Sequence, residues 1–425
     1  MFAWPALLNG YPIVFSDTGG FLEQALMPDE GWDKPWIYGP FLTPFHWRIT
    51  LWPTVAAQCL ILSALLWMTQ TAVRPACAPG PLRHLALCAV LATATAAPWF
   101  ASLLMPDIFA PITVLALFVL MQKCFGPWTR AWVAVVATLA IASHLAHLVL
   151  AAACLVVLPL LYRRLPWRAA KPLLAALTLV LLTNWVGQHR FAISPYGAVF
   201  ALARMVGDGP ARTYIDAVCP GAAYRVCRWA GRLPTDSDAF LWDPNGPVWA
   251  DGYGPLRIAP EAQEIVRETL RTLPGPVLHA ALLNTGRQLL LVQVGDALLP
   301  DHLRTTMLER LQTYFPPAEA ARFEASRQMA GTLPGVAAPF APLYLATLIL
   351  GAVLSTAIAV AGWRRAPEVA RLAVLVLAGL LANAAVTGAL SGPHDRYQAR
   401  IAWLLLIPPL LYPAGRSVSA ASRSR

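Results

Sequence analysis

Charge is scarce in this chain. Of its 425 residues only 13% are Asp, Glu, Lys or Arg, about half the roughly 25% of a soluble domain. That deficit comes with 57% hydrophobic residues and a mean hydropathy of +0.55. Apolar runs of about 20 residues recur along the chain. Together these exclude an ordinary soluble enzyme and predict a polytopic membrane protein. Nucleotide-binding loops are missing too. There is no G-x-x-x-x-G-K-[ST] and no G-x-G-x-x-G opening a helix, so energy from ATP is not expected to enter through this chain. A G-x-S-x-G elbow is absent, strand signals are few, and no repeat of fixed period occurs. Met1 to Phe15 has no basic region and is interrupted by Pro5, Asn9, Gly10 and Pro12. It does not read as a cleavable signal peptide. It is also too short to cross about 30 Å of hydrocarbon as a helix. We read it as a truncated first helix, and favour a missing upstream portion over a partial helix.

What the chain does have is an alternation in the connections between its apolar segments. One set is basic: Arg74 and Arg83; Lys123 and Arg130; Arg163, Arg164, Arg168 and Lys171; Arg364, Arg365 and Arg371; Arg416, Arg423 and Arg425. The positive-inside rule places these in the cytoplasm. Most of the net charge of +10 sits there, where anionic headgroups account for it. Its residues are spread in twos to fours among Pro and Ala, so no nucleic-acid partner is expected. The other set holds Asp17, Asp107, His144 and His147, one long polar stretch, and the loop Ser391–Arg400. These then face the extracytoplasmic side of a bacterial inner membrane.

The spans expected are 51–70, 85–105, 108–122, 132–143, 145–161, 173–187, 342–362, 372–390 and 401–413. The fold class is an all-α polytopic membrane protein of about nine or ten transmembrane helices, the first truncated, with a mostly helical extracytoplasmic domain. The divisions are 1–187, 188–341 and 342–425. Trp132–Leu161 reads either as one long helix or as two helices meeting at Ser143-His144-Leu-Ala-His147. We adopt two, because one helix would put Arg163, Arg164, Arg168 and Lys171 outside. In 188–341 the helical pieces are Glu261–Leu273, Pro276–Leu299 and Pro317–Met329. Val277–Leu299 carries Asn284, Arg287, Gln288 and Gln293, and reads as an amphipathic helix on the membrane or on the bundle. A buried transmembrane helix is the alternative.

Cys59, Cys88 and Cys154 lie in apolar segments as small core residues; Cys77 and Cys124 fall in cytoplasmic loops. Cys219 and Cys227, outside, form a disulfide or remain two thiols.

Four groups could carry chemistry. Asp17, in Phe15-Ser-Asp-Thr-Gly-Gly20, is a general base for an incoming hydroxyl or amine, or a helix N-cap. Asp29 and Asp33 nearby read as solvated. Asp107, after Pro106, is costly at a span end unless hydrated, paired or useful. It would position the acceptor or share a divalent cation with Asp17, or cap the next helix. His394, Asp395, Arg396, Tyr397 and Arg400 lie in an outer loop that breaks the charge bias. Arg binds phosphate bidentately and stays charged, so Arg396 and Arg400 suit a phosphate at headgroup depth. The plain alternative is an Asp395–Arg396 surface pair with Tyr397 and Arg400 as interface anchors. His144 and His147, with His189 and Arg190 farther on, could bind substrate, donate protons or hold metal. No Cys or carboxylate lies at ligand spacing, so a metal site there is weakly supported. In the long stretch, Asp236, Asp238, Trp242, Asp243 and Asp251 are compatible with sugar binding and equally with ordinary loops.

The layout resembles the polyprenyl-phosphate-dependent GT-C glycosyltransferases, such as protein mannosyltransferases and aminoarabinose transferases. The similarity rests on Ser16-Asp17-Thr18-Gly19 in the first outer loop and on the Pro- and aromatic-rich segment Asp33-Lys-Pro-Trp-Ile-Tyr-Gly-Pro-Phe-Leu42. Pro106-Asp107 at the next outer turn completes it. It covers residues 10–190 by motif and the remainder by topology alone. The resemblance implies a sugar donor linked to polyprenyl phosphate and an extracytoplasmic glycan, lipid or protein acceptor. Asp17 would be the base, with Arg396 and Arg400 holding the leaving lipid phosphate. The competing classes are a lipid carrier or flippase, in which no bond breaks, and an assembly subunit that docks through 188–341.

Overall fold

The computed structural model describes residues 1–27, 31–74, 80–219 and 221–413. Asp29, Cys77 and the basic tail Arg416, Arg423 and Arg425 therefore lie outside the described residues. Among the described residues the chain is helical, and its one β-type contact is an isolated parallel bridge between Ile13 and Leu103.

The helices that position the site are α1 (Ser16–Leu26), α2 (Tyr38–His46), α3 (Trp52–Val73), α4 (Pro81–Ala94), α5 (Phe109–Leu120), α6 (Pro127–Ala142), α7 (Leu145–Tyr162), α8 (Trp167–Gln188), α9 (Gly197–Asp208), α10 (Pro255–Thr272), α11 (Pro274–Leu290), α12 (Ala341–Ala361), α13 (Pro367–Leu390) and α14 (Asp395–Ala402). Five helical stretches are long and apolar enough to cross a membrane: Trp52–Val73, Leu145–Tyr162, Trp167–Gln188, Leu333–Arg364 and Pro367–Leu390. Pro106–Leu120 and Pro127–Ala142 are shorter apolar helices. α5 is the axis of the bundle. It is buried at all twelve positions, which is why its sequence is apolar all round instead of on one stripe.

Several expected spans are broken. The 85–105 run stops at Ala94, where Thr95 turns out of helical geometry, and resumes as Ala97–Ser102 with Pro98 in its first turn. Proline suits a helix start and disrupts a helix interior. The 401–413 run is split into α14, a 3-10 turn at Trp403–Leu406, and Ile407–Leu411 with Pro408 in its first turn. The segment read as a truncated first span is a six-residue helix, Trp4–Asn9, closed by Gly10 in the left-handed region. Extended chain follows, and Ile13 accepts from the Leu104 N–H (2.8 Å) and donates to Ser102 (3.1 Å). At Ser143-His144 the chain does turn between α6 and α7. His144 takes an extended conformation there, and its ring nitrogen accepts from the Ala146 N–H (3.1 Å).

Loops of the basic set meet one another. Arg164 donates to the Met121 carbonyl, Arg371 to Leu161 (3.1 Å) and Arg74 to Leu411 (3.1 Å).

The stretch 188–341 does not close on one core. Residues from Tyr196 to Ile265 have their own, centred on Val199, Leu202, Phe240 and Ile258. Trp32 of the first loop stacks on Phe200 at the edge of that core (5.0 Å). Leu303, Met307, Leu311 and Phe323 instead join Tyr11, Leu22 and Val55 of the N-terminal segment. Gly19 makes this seam close: a Cβ there would lie 1.8 Å from the Thr306 carbonyl oxygen. α11 ends at Leu290, short of the expected Leu299, and lies along α13. Its polar residues Asn284 and Gln288 are buried, while Leu278, Leu282 and Leu290 are 61%, 63% and 81% exposed. The helix is amphipathic with its apolar face outward. The disulfide Cys219–Cys227 is formed, with Cα atoms 5.1 Å apart.

Candidate functional site

Several separate segments converge on the site. α1 starts immediately after Phe15. The capping duty expected of Ser16 or Asp17 falls to Thr18, whose hydroxyl accepts from the Phe15 N–H (2.9 Å) and donates to the Leu104 carbonyl (3.0 Å). Asp17 is thereby left to point elsewhere. Its carboxylate lies 3.6 Å from the Lys34 ammonium and is 39% exposed. Lys34 also contacts Asp33 at 2.5 Å. Asp33, read as solvated, is therefore a paired group with its side chain only 18% exposed.

Asp107 lies in the turn before α5 and is buried. It makes no cap hydrogen bond. Its carboxylate faces two arginines instead, Arg400 Nη1 at 3.3 Å and Arg396 Nη1 at 3.9 Å. This differs from the catalytic part expected of it. A carboxylate enclosed by two guanidiniums, away from solvent, is an anchor and not a proton acceptor for substrate.

α14 supplies both arginines one turn apart, so they share a face. Arg400 is fully buried and also donates to the Asn383 side-chain oxygen (3.1 Å). Asn383, within α13, in turn donates to the Tyr397 carbonyl (2.7 Å) and the Gln398 side chain (2.9 Å). Arg396 is held differently. Its backbone N–H donates to Asp296 (3.0 Å), and its guanidinium lies over the Phe15 ring (4.0 Å) and beside Tyr397 (5.1 Å). Arg396 is buried, yet its Nη1 has no hydrogen-bond partner among the described residues. The expected Asp395–Arg396 pair does not form; Asp395 accepts from the Gln293 N–H (2.8 Å).

The remaining predicted residues divide. Tyr397 lies against both arginines, 5.3 Å from Arg400. His394 is exposed, tied by its backbone to Gln288 (2.7 and 3.0 Å) with its ring 4.0 Å from Asp238. The His144 and His147 rings are 5.2 Å apart, and His147 Nδ1 bonds the Ala140 carbonyl (2.8 Å). Burial, then Arg400 and Arg396, push His144 well below its ordinary value, so it is neutral. Arg190 is not part of the cluster; it is exposed and lies against Tyr196 (5.7 Å).

Burial raises the Asp17 carboxyl, but Lys34 and then Arg396 outweigh it and hold the group below its ordinary value. Asp17 is therefore ionised at neutral pH. Asp238 and Asp296 go the other way: burial pushes both up. Among the described residues no three His, Cys, Asp or Glu side chains gather in a metal-binding group. The two carboxylates considered as alternative holders of a divalent cation each face a cation of the chain, Lys34 at Asp17 and Arg400 at Asp107.

Sequence reasoning missed Lys34, Asp296 and Asn383 as members of the site. Lys34 stood inside a quoted motif, and Asn383 is the one amide in an otherwise apolar segment. Asp296 had no local signal. No family model, curated protein or solved structure matches the chain.

Proposed function

We propose that this chain is an integral membrane glycosyltransferase of GT-C type. It would move a sugar from a polyprenyl-phosphate donor to a glycan, lipid or protein acceptor on the extracytoplasmic side of a bacterial inner membrane. The observation that carries the reading is Arg396. A buried guanidinium stacked on an aromatic ring, whose Nη1 makes no hydrogen bond and faces the Asp107 carboxylate only at 3.9 Å, suits an incoming phosphate. An ionised carboxylate, Asp17, lies near enough to feel its charge.

In this reading Asp17 takes the proton from the acceptor hydroxyl or amine. The acceptor atom bonds to the anomeric carbon as the bond from that carbon to the phosphate oxygen breaks. The electron pair leaves with the lipid phosphate, where Arg396 stabilises it. A single displacement inverts the anomeric centre. Arg400 does not touch the phosphate; with Asp107 and Asn383 it fixes the floor on which Arg396 stands. Five apolar helices and the outward leucines of α11 support the bilayer setting.

The test is transfer from radiolabelled polyprenyl-phosphate sugars by purified protein. Wild type should release free polyprenyl phosphate, and both Asp17→Asn and Arg396→Ala should lose that release. Donor binding without turnover, unchanged in Asp17→Asn, would replace the reading with a carrier. No binding to any donor would leave an assembly subunit.

A further inference from the structure

We propose that Lys34 is the resident cation of the site, its ammonium occupying the position between Asp17 and Asp33 that a divalent metal ion would otherwise take. The two carboxylates come from different segments, the first turn of α1 and the loop before α2. The Lys34 ammonium lies 3.6 Å from one and 2.5 Å from the other. Two carboxylates brought together without a cation would repel and raise one another's proton affinity.

The seat is shaped for an ammonium. Lys34 is 14% exposed and its nitrogen lies 5.3 Å from the centre of the Phe21 ring, whose face attracts a cation. Gly20 lets it in: a Cβ there would come within 3.2 Å of the nitrogen. The next turn of the same helix thus provides one wall and Asp17 the other.

The choice of cation has a chemical consequence. One ammonium against two carboxylates leaves one negative charge, so Asp17 remains an ionised carboxylate with no metal ion on its oxygens. A divalent ion would cancel both charges and bind the Asp17 oxygens directly. Lys34 is accordingly a positioning residue that acts through Asp17.

The proposal uses the same Asp17 as the transferase reading, but its test needs no turnover, so either can fail alone. The full-length protein, purified in detergent, is titrated with Mn²⁺, and free Mn²⁺ is read by its electron paramagnetic resonance signal. Lys34→Ala and Lys34→Gln should each bind one Mn²⁺ about ten-fold or more tighter than wild type, since removing a cation a few ångströms away strengthens the site for another. The gain should vanish when Asp33→Asn is added, and Lys34→Arg should behave as wild type. If both neutral variants bind Mn²⁺ no better than wild type, the proposal is overturned. It is equally overturned if wild type already holds Mn²⁺ that Asp17→Asn releases.

Discussion

The site contains two carboxylate–cation groups that read alike in sequence and differ in burial. Asp107 with Arg400 is sealed, its partners 2% and 1% exposed. Asp17 with Lys34 is open, at 39% and 14%. The sealed group cannot exchange protons or ligands without leaving a charge uncompensated in an apolar core. The open group can take a proton at lower cost, because water reaches it and Asp33 still compensates Lys34. Burial, not residue type, separates the two: one group is sealed in the core and the other is open to solvent.

The strongest way to break that contrast is to cut the sealed pair. Asp107→Ala should destabilise the protein by about 3–5 kcal/mol, because Arg400 is left buried without its counter-charge. Thermal unfolding of the purified protein reads this directly. Adding Arg400→Met should recover most of the loss, and a double variant as unstable as the single one would show that the pair is not the cause. At the open pair the same kind of change should act on rate. Asp17→Asn should lower transfer by about 10²–10⁴-fold, with stability changed by less than about 1 kcal/mol since the group is partly exposed.

A smaller effect tests the cation between the two groups. Arg396→Lys keeps the charge but loses the planar fork and the stacking on Phe15, so donor binding should weaken by about ten-fold. Equal affinity in a donor titration would mean that charge alone matters there. The core around Val199 and Phe240 offers a control at its disulfide, which touches neither group. Removing the Cys219–Cys227 bridge should cost about 2–3 kcal/mol for a loop this short. Limited proteolysis should show that loss in the region 196–266 while donor binding is retained.

The smallest effects are in pH dependence, and their signs are opposite. The carboxyl of Asp17 lies below its ordinary 3.8 in the folded state. Its contribution to stability is present above that value and is lost as pH falls through the lower folded value. Asp238 is raised above 3.8, so its contribution is present below that value and lost as pH rises through the higher folded value. Melting temperatures between about pH 3 and 6 should therefore lose their acid-side decline in part in Asp17→Asn. Asp238→Asn should instead remove a decline on the rising side. Shifts of the same sign in both variants would contradict these opposite assignments.

Much of this was legible in the chain itself. Continuous apolar runs mark the long helices, because a helix that faces lipid or a core on every side must be apolar on every side. The chain turns at Ser143-His144, where charge placement required it. Asp17, Asp107, Arg396 and Arg400 were singled out because charges are rare in such a sequence and expensive where they stand. The breaks at Thr95 and after Ala402 were less legible. Their apolar character is continuous, and only Pro98 and Pro408 give them away.

The sequence by itself determined the all-helical, membrane-like class and the small set of polar residues able to do chemistry. Those follow from composition and local pattern, which need no knowledge of partners. Only the tertiary structure decided which charge meets which. It turned Asp107 into an anchor, freed Asp17 from capping by giving that bond to Thr18, set Lys34 between two carboxylates, and left a buried Nη of Arg396 without a hydrogen bond. Such assignments depend on contacts between residues as far apart as Phe15 and Arg396, and on the solvent those contacts exclude, neither of which has a local signature in the chain.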